Sequence, residues 1–361
     1  MVGIALLGAG IFAKEGELES ILSESHVPVL AHNDKAKVLA VYSRSEASAN
    51  SVVEALHSTS TAGTSATIDV YSDEKPGYGL DELLQRADIE AVIVVLPILV
   101  LPAVVRKCLA AGKHVLAEKP IGPDVAAGRA LIAEYESTYA PRNLVLSIAE
   151  QFRYETALIR AGELIAGGKI GELHHVHGRV ATTMAPDNKF CKTAWRATPG
   201  YQGGFVLDAG VHFVALMRMV AGQEIVETTS FTAQFAPHLS PVDTVNAALK
   251  FSGGAQGTFS MSFAAATFVA DFIFIGTAGM LTVKRAAHET TVRVDGPDLK
   301  PISEEVFKAD GMMNEISAFV QAVAVRKGDK AASPREALAD VAVIESICSG
   351  GGHVQSHGID S

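Results

Sequence analysis

The sequence predicts an α/β protein: a doubly wound parallel sheet at the N-terminus, followed by an α+β domain with a large, mainly antiparallel sheet. Three observations carry this. Short, almost continuously apolar runs alternate with helical patterns up to about residue 148, as strands covered on both faces require. The rhythm then changes to strand-like runs separated by glycine turns, the pattern of an antiparallel meander. A length of 361 residues, 48% of them hydrophobic, exceeds one ordinary core and fits about two domains. The division is placed between residues 1–148 and 149–361.

Taken in order, the first strand is "VGIALLG", and a helical pattern follows from Ile11 to about Glu24. "AKVLAVYS" is the second strand; Ser45 then stands as N-cap of the helix "SEASANSVVEALH". "IDVY" and "AVIVVLP" are strands separated by the helical "LDELLQRA". "LPAVVRKCLAAG" is a helix closed by Gly112. "KHVLAEKP" is the fifth strand, "DVAAGRALIAEYESTY" a helix and "NLVLSIAE" the sixth strand. Beyond Glu150, the helix "YETALIRAGELIAG" leads to the strand "LHHVHGRVATTM" and the helix "LDAGVHFVALMRMVAG". "NAALKFSGGAQGTFSMSF", "FIFIG", "GMLTV" and "TTVRV" form the meander, two helical patterns follow, and the glycine-rich tail "SGGGHVQSHGIDS" reads as loosely ordered.

Bulk properties narrow the function. A net charge of −10 repels nucleic-acid backbones and anionic membranes, so neither is an expected partner. Cys108, Cys191 and Cys348 are odd in number and far apart, without disulfide framework or zinc spacing. A reducing, cytoplasmic location is expected. No apolar run reaches the roughly 20 residues of a membrane span.

Gly8 and Gly10 in "LLGAGIFA", with Ala13 in the place of a third glycine, join a strand to a helix at the start of a βαβ series. That is the context in which such a turn binds a dinucleotide, in a Rossmann fold. Gly8 permits the tight turn, Gly10 lets a pyrophosphate approach the backbone, and Ile11 and Phe12 complete the loop. The second strand ends Ser43-Arg44-Ser45 with no acid. An acid there would hold the ribose 2′-hydroxyl of NAD; an arginine fork and a serine suit a 2′-phosphate, so NADP(H) is expected. The alternative is a solvated Arg44 and a purely capping Ser45.

Ligands of such sheets bind beyond the carboxyl ends of the strands. Glu118 and Lys119 lie at that end of the fifth strand, Leu96 and Pro97 at that of the fourth. Lys119 there reaches the nicotinamide end of a cofactor and polarises a substrate oxygen; alternatively it pairs with Glu118 on the surface. Lys113, at the opposite edge, is expected to tolerate alanine. In the second domain Asp208 and His212 are four residues apart on a helical pattern, hence on one face. Histidine can exchange the proton that accompanies a hydride, with Asp208 fixing its orientation; a structural pair is the alternative. Gly203, Gly204 and Gly210 imply close backbone approach nearby. Arg153 and Arg196 follow Phe152 and Trp195 and are candidates to clamp a substrate anion, or to form ordinary ion pairs. Tyr154 and Tyr201 are candidate proton donors or packing residues. His174, His175 and His177 read as sheet-surface residues; no metal site is expected.

"GAGIFA", "AGKHVLAEKP" and "WRATPGYQGGFVLDAGVH" together resemble the Gfo/Idh/MocA family, the glucose-fructose and inositol dehydrogenase-like oxidoreductases. "EQFRYE" and the "WR" at Trp195-Arg196 resemble an NADP-linked fungal branch. The resemblance implies Lys119 as catalytic or orienting lysine, Asp208 and His212 as substrate-binding and acid/base pair, and a Lys119-Pro120 bond that is often cis. It implies an NADP(H)-dependent dehydrogenase or reductase acting on a small, polar, sugar- or polyol-like carbonyl or alcohol; Arg153, Trp195 and Arg196, on the reading of the residues given above, are expected to line its cleft. It also implies a homodimer or homotetramer joined through the second sheet, where "TFSMSFAAATFVADFIFIG" is expected to leave an apolar face for a second copy. Alternatives are a cofactor-sensing regulator, or a net epimerase or eliminase that uses bound NADP transiently. "LPILVLP" lacks the polar turn of many relatives, and the segment before the fourth strand is long; either fits a substrate other than a free sugar.

Overall fold

The computed structural model describes residues 1–14, 25–59, 67–286 and 288–354. Six strands form the first sheet: β1 (Val2–Leu7), β2 (Ala36–Ser43), β3 (Asp69–Ser72), β4 (Ala91–Val94), β5 (His114–Glu118) and β6 (Leu146–Ala149). All neighbours are parallel, in the order β3-β2-β1-β4-β5-β6. The chain order reverses beside β1, so β1 and β4 flank the crevice where ligands of such sheets bind. β1, β4, β5 and β6 are buried along their whole length, which is why they read as unbroken apolar runs. Ser45 Oγ accepts from Ser48 N–H at 3.3 Å and caps the helix Glu46–Thr59. The helix expected from Ile11 to Glu24 is seen from Ile11 to Lys14; its remainder lies outside the described residues.

The second sheet has nine strands among the described residues: β7 (Leu173–Thr183), β8 (Ile225–Ala233), β9 (Thr244–Phe251), β10 (Gln256–Ser262), β11 (Ala264–Gly276), β12 (Gly279–Arg285), β13 (Glu289–Asp295), β14 (Pro301–Lys308) and β15 (Gly351–His353). It is not the simple meander the sequence implies. β7 lies between β10 and β11, parallel to the first and antiparallel to the second, so two consecutive strands never pair. β14 is half-exposed along its length, and the glycine-rich tail supplies β15, paired antiparallel with β8. Backbone hydrogen bonding needs no side-chain signal, so an edge strand of glycines is invisible to apolar patterning.

The inner face of this sheet packs on the helices Thr156–Ala166, Phe205–Ala221 and Pro334–Cys348. One apolar core runs from these helices into the first sheet. On the sheet's outer face, His175, His177, Arg179, Ser260 and Asn246 occupy the centre. β11 turns the half-buried Val269, Ile273 and Ile275 to the same face, and exposed Phe231, Phe268, Ile302 and Val306 lie around them, so the expected apolar face is present but interrupted by polar side chains. No helix among the described residues is long and apolar enough to cross a membrane.

Two late segments return to the first domain, so residues 1–148 do not pack as a unit by themselves. Met312, Ile316, Phe319, Val320 and Val323, on the helix Gly311–Val325, cover one face of the first sheet. The helix Pro334–Cys348 reaches the other: Glu345 accepts from the Val125 N–H at 2.9 Å and from Gln202 at 3.0 Å.

Lys113 departs from the sequence expectation. Its ammonium is buried and donates to the carbonyls of Arg86 at 2.6 Å and Ile89 at 2.8 Å, while burial holds its pKa down. Lys113→Ala strips these carbonyls of their donor. It is expected to cost about 1–3 kcal/mol of stability, read by denaturant unfolding, while any cofactor affinity of the folded fraction stays unchanged.

Candidate functional site

The site is assembled at the carboxyl edge of the first sheet. After β1, Gly8 has φ +112, and a Cβ there would lie 2.1 Å from the Val95 carbonyl oxygen. Only glycine lets β1 turn this close to β4. Around Gly10, by contrast, no described residue lies within 4 Å of an added Cβ. The turn thus presents an open backbone face of the kind a pyrophosphate approaches. Leu96 leans on the Gly8 turn, and Ala13 is fully buried behind it. At the end of β2, Ser43 is half-buried and Arg44 exposed, with no hydrogen bond or ion pair to the described residues. The Glu46 N–H beside them is met at 2.9 Å by Glu74, from the loop after β3.

Two strands from β1, β5 ends in Glu118, followed by Lys119 and a cis bond to Pro120. Lys119 Nζ crosses to the second domain and donates to Asp208 at its carbonyl, 2.7 Å, and at Oδ1, 3.2 Å. Asp208 lies in the first turn of the helix Phe205–Ala221. Gly204, at φ +52, precedes that helix, and a Cβ on it would collide with the Ser240 carbonyl oxygen at 2.5 Å. Gly210 instead makes room for Met261 and Ile344 in the core. The other oxygen of Asp208, Oδ2, accepts from Arg196 Nε at 2.6 Å. Arg196 lies over the Trp195 ring at 3.9 Å and over Phe190 at 5.0 Å.

One turn along the same helix, His212 is fully buried, stacked on Phe152 with ring centroids 5.0 Å apart. Its Nδ1 is 2.7 Å from Glu150 Oε1, and its Nε2 is buried with no protein partner among the described residues. Glu150, at the carboxyl end of β6, therefore fixes this ring, not Asp208 as expected. The reason is geometric: both oxygens of Asp208 are engaged by Lys119 and Arg196. Glu150 is the functional residue that motif reading missed. An acid at the carboxyl end of a strand in a doubly wound sheet was the signal available.

The charges of this cluster answer one another. Burial would raise the carboxyl of Asp208, but Arg196 and Lys119 hold it well below the usual carboxylate range. Burial also acts to raise Glu150, and His212, Arg153 and Lys119 more than offset it, so it too is held down. Both side chains are thus carboxylates at neutral pH, and Glu150 leaves Nδ1 of His212 to carry the proton.

Other sequence candidates fall elsewhere. Arg153 does not line the cleft: it is buried and paired with Asp340 at 2.5 Å and Glu336 at 3.2 Å, in a network that Arg218 shares. Glu118 is 2.6 Å from His26 Nε2, so its carboxylate is engaged within the protein. The Tyr154 hydroxyl donates to Asp329 at 2.7 Å. Tyr201 tilts against Trp195, and burial beside Asp208 keeps its phenol protonated. His175 and His177 stack on the outer face of the second sheet, with no hydrogen bond or ion pair to the described residues of this site.

Asp208→Asn should therefore be costly, because it leaves two cations in contact without their shared carboxylate. Loss of one partner from such a buried set costs about 3–5 kcal/mol. The folded pKa of Asp208 lies below its unfolded value of about 3.9. Its stabilisation is complete above that pH and fades as the pH falls toward the folded pKa. Unfolding free energies measured between neutral pH and pH 3 should fall less steeply for the Asn variant than for the wild type.

Comparison with known proteins agrees with this layout. Residues 2–140 match the family model described as oxidoreductase family, NAD-binding Rossmann fold, and residues 158–282 match the GFO/IDH/MocA C-terminal domain. The chain is 36% identical over 353 residues to dehydrogenase FPY6 of Fusarium mangiferae, covering 96% of this chain and 95% of that one. It is 30% identical over 255 residues to dTDP-3,4-didehydro-2,6-dideoxy-α-D-glucose 3-reductase of Streptomyces violaceoruber, 68% of this chain and 70% of that one. A crystal structure of an oxidoreductase from Thermotoga maritima superposes with a TM-score of 0.81 at 26% identity, over 99% of both chains. The glycine turn, the Lys119-Pro120 corner and the Asp208–His212 helix thus stand in a chain that belongs to the Gfo/Idh/MocA family of NAD(P)-binding oxidoreductases.

Proposed function

We propose that the protein is an NADP(H)-dependent dehydrogenase or reductase of a small polar alcohol or carbonyl compound. The observation that carries the reading is the meeting of Lys119, from the nucleotide-binding sheet, with Asp208 of the second domain at 3.2 Å. This contact lies at the sheet edge that also carries the open Gly8–Gly10 turn. The nicotinamide, when bound, supplies or takes the hydride. The backbone of the turn holds the pyrophosphate, while Ile11, Phe12, Leu96 and Pro97 line the bed. Ser43 and Arg44 receive the 2′-phosphate.

Lys119 donates to the substrate oxygen and stabilises negative charge on it as the hydride moves. Asp208 keeps that ammonium aimed. His212 exchanges the hydroxyl proton through Nε2, its uncommitted nitrogen, while Glu150 stabilises the imidazolium that forms when it takes one. Meeting between two domains excludes water and strengthens each contact. The outer face of the second sheet, with Phe231 and Phe268 at its margins, is assigned to self-association as a dimer or tetramer. The 3-reductase among the relatives supports a sugar-like or related carbonyl as substrate class.

Cofactor choice is tested by binding alone. Arg44→Ala should weaken NADPH by about 1.5–3 kcal/mol, the worth of a charge-assisted phosphate contact, and leave NADH nearly unchanged. Wild-type protein that binds NADH as tightly as NADPH contradicts the assignment. For the chemistry, Lys119→Ala should retain NADPH binding and lose roughly 10²-fold or more in kcat. His212→Ala should lose about 10²–10⁴-fold. Near-normal turnover by the Lys119 variant would remove the lysine from the mechanism.

A further inference from the structure

Arg196 has more donors than the protein uses. Its Nε is committed to Asp208 Oδ2. Its two terminal nitrogens have no hydrogen-bond partner among the described residues, and neither is sealed from solvent. The side chain is nonetheless only 13% exposed, because Trp195 and Phe190 cover the guanidinium. Aromatic stacking and the Nε bond together hold the plane of the group before any ligand arrives. A guanidinium held this way presents a planar fork, the geometry that grips a carboxylate or phosphate through two parallel N–H···O bonds.

The position of the fork matters as much as its shape. Asp208 spaces two cations across a single carboxylate, with Lys119 on Oδ1 and Arg196 on Oδ2. In the function proposed above, Lys119 takes the reacting oxygen. Whatever Arg196 grips must then lie only a few bonds from the reacting carbon. The hydroxyls of a neutral sugar or polyol can accept from the fork, but only a carboxylate or phosphate also sets a negative charge against the guanidinium, with two oxygens at the matching spacing.

We infer that the substrate is anionic: a hydroxy or oxo compound with a carboxylate or phosphate close to the carbon that exchanges hydride, bound bidentately by Arg196. This rests on the oxidoreductase reading for the role of Lys119, but the anion site can be tested without turnover. Malonate and inorganic phosphate, titrated calorimetrically into the NADP⁺-loaded protein, should both compete for the fork. The tighter of the two identifies the group. Arg196→Gln should weaken that anion by roughly 10–100-fold, and Arg196→Lys, which keeps the charge but not the fork, should recover only part of the loss. NADP⁺ affinity measured on the same samples reports that each variant is folded.

The kinetic arm compares matched pairs: a polyol against its aldonic acid, and an aldose against its phosphate ester. The wild type should favour the anionic member by roughly tenfold or more, and Arg196→Gln should bring that ratio close to one. Failure of both anions to bind the wild type, or equal affinity in the Arg196→Gln variant, overturns the inference; the guanidinium then only anchors its short helix to Asp208. Anion binding that depends on Arg196, in a protein that turns over none of the compounds, would sustain the site and count against the proposed reaction instead.

Discussion

One carboxylate, that of Asp208, holds the site together. A charge withdrawn from water is tolerated only where opposite charges replace its hydration. Here the replacements come from two different places, Lys119 at the end of β5 and Arg196 on the short helix Ala194–Ala197 that precedes the helix Phe205–Ala221. Satisfying one buried acid therefore brings three chain segments to one point. The reach of Lys119 to the second domain and the seating of the Trp195-Arg196 helix against the helix Phe205–Ala221 both meet at it. His212 inherits its place from the same helix, one turn further on, where Glu150 and Phe152 at the end of β6 receive it.

How much of this was legible in the sequence depended on how far apart the cooperating residues stand. The glycine turn, the strand end at Glu118-Lys119 and the spacing of Asp208 from His212 are local patterns, fixed by backbone sterics and helix periodicity. They led to the first sheet and to the edge where the site lies. The partnerships were not legible, because nothing in a motif names a distant neighbour. Glu150 and His212 are separated by 62 positions, and Lys119 and Asp208 by 89. Asp208 looked like the natural partner of His212 because it was close in sequence; its oxygens were already taken. Arg153 looked like a cleft residue because it follows an aromatic; its partners, Asp340 and Glu336, lie almost at the other end of the chain.

The same distinction explains the second sheet. Apolar alternation identifies a strand that has one face in the core, and it found β7 and β9 to β13. It carries no information on which strands are neighbours, and so the insertion of β7 between β10 and β11 could not be read from it. β14 and β15 have little buried side-chain surface. Their place is set by backbone pairing to an exposed edge, a constraint to which composition is blind.

The helix Gly311–Val325 bears on how the chain comes to be folded during synthesis. A ribosome delivers the six strands of the first sheet well before it delivers Met312, Ile316 and Phe319, which close one face of that sheet. Until they emerge, the nascent nucleotide-binding half exposes an apolar surface that the completed protein never shows. Elongation at about 5–20 residues per second makes that interval several seconds long or more. The first half is thus synthesised early but completed late, and a fragment ending at the sequence boundary between the halves would be permanently held in that unfinished state.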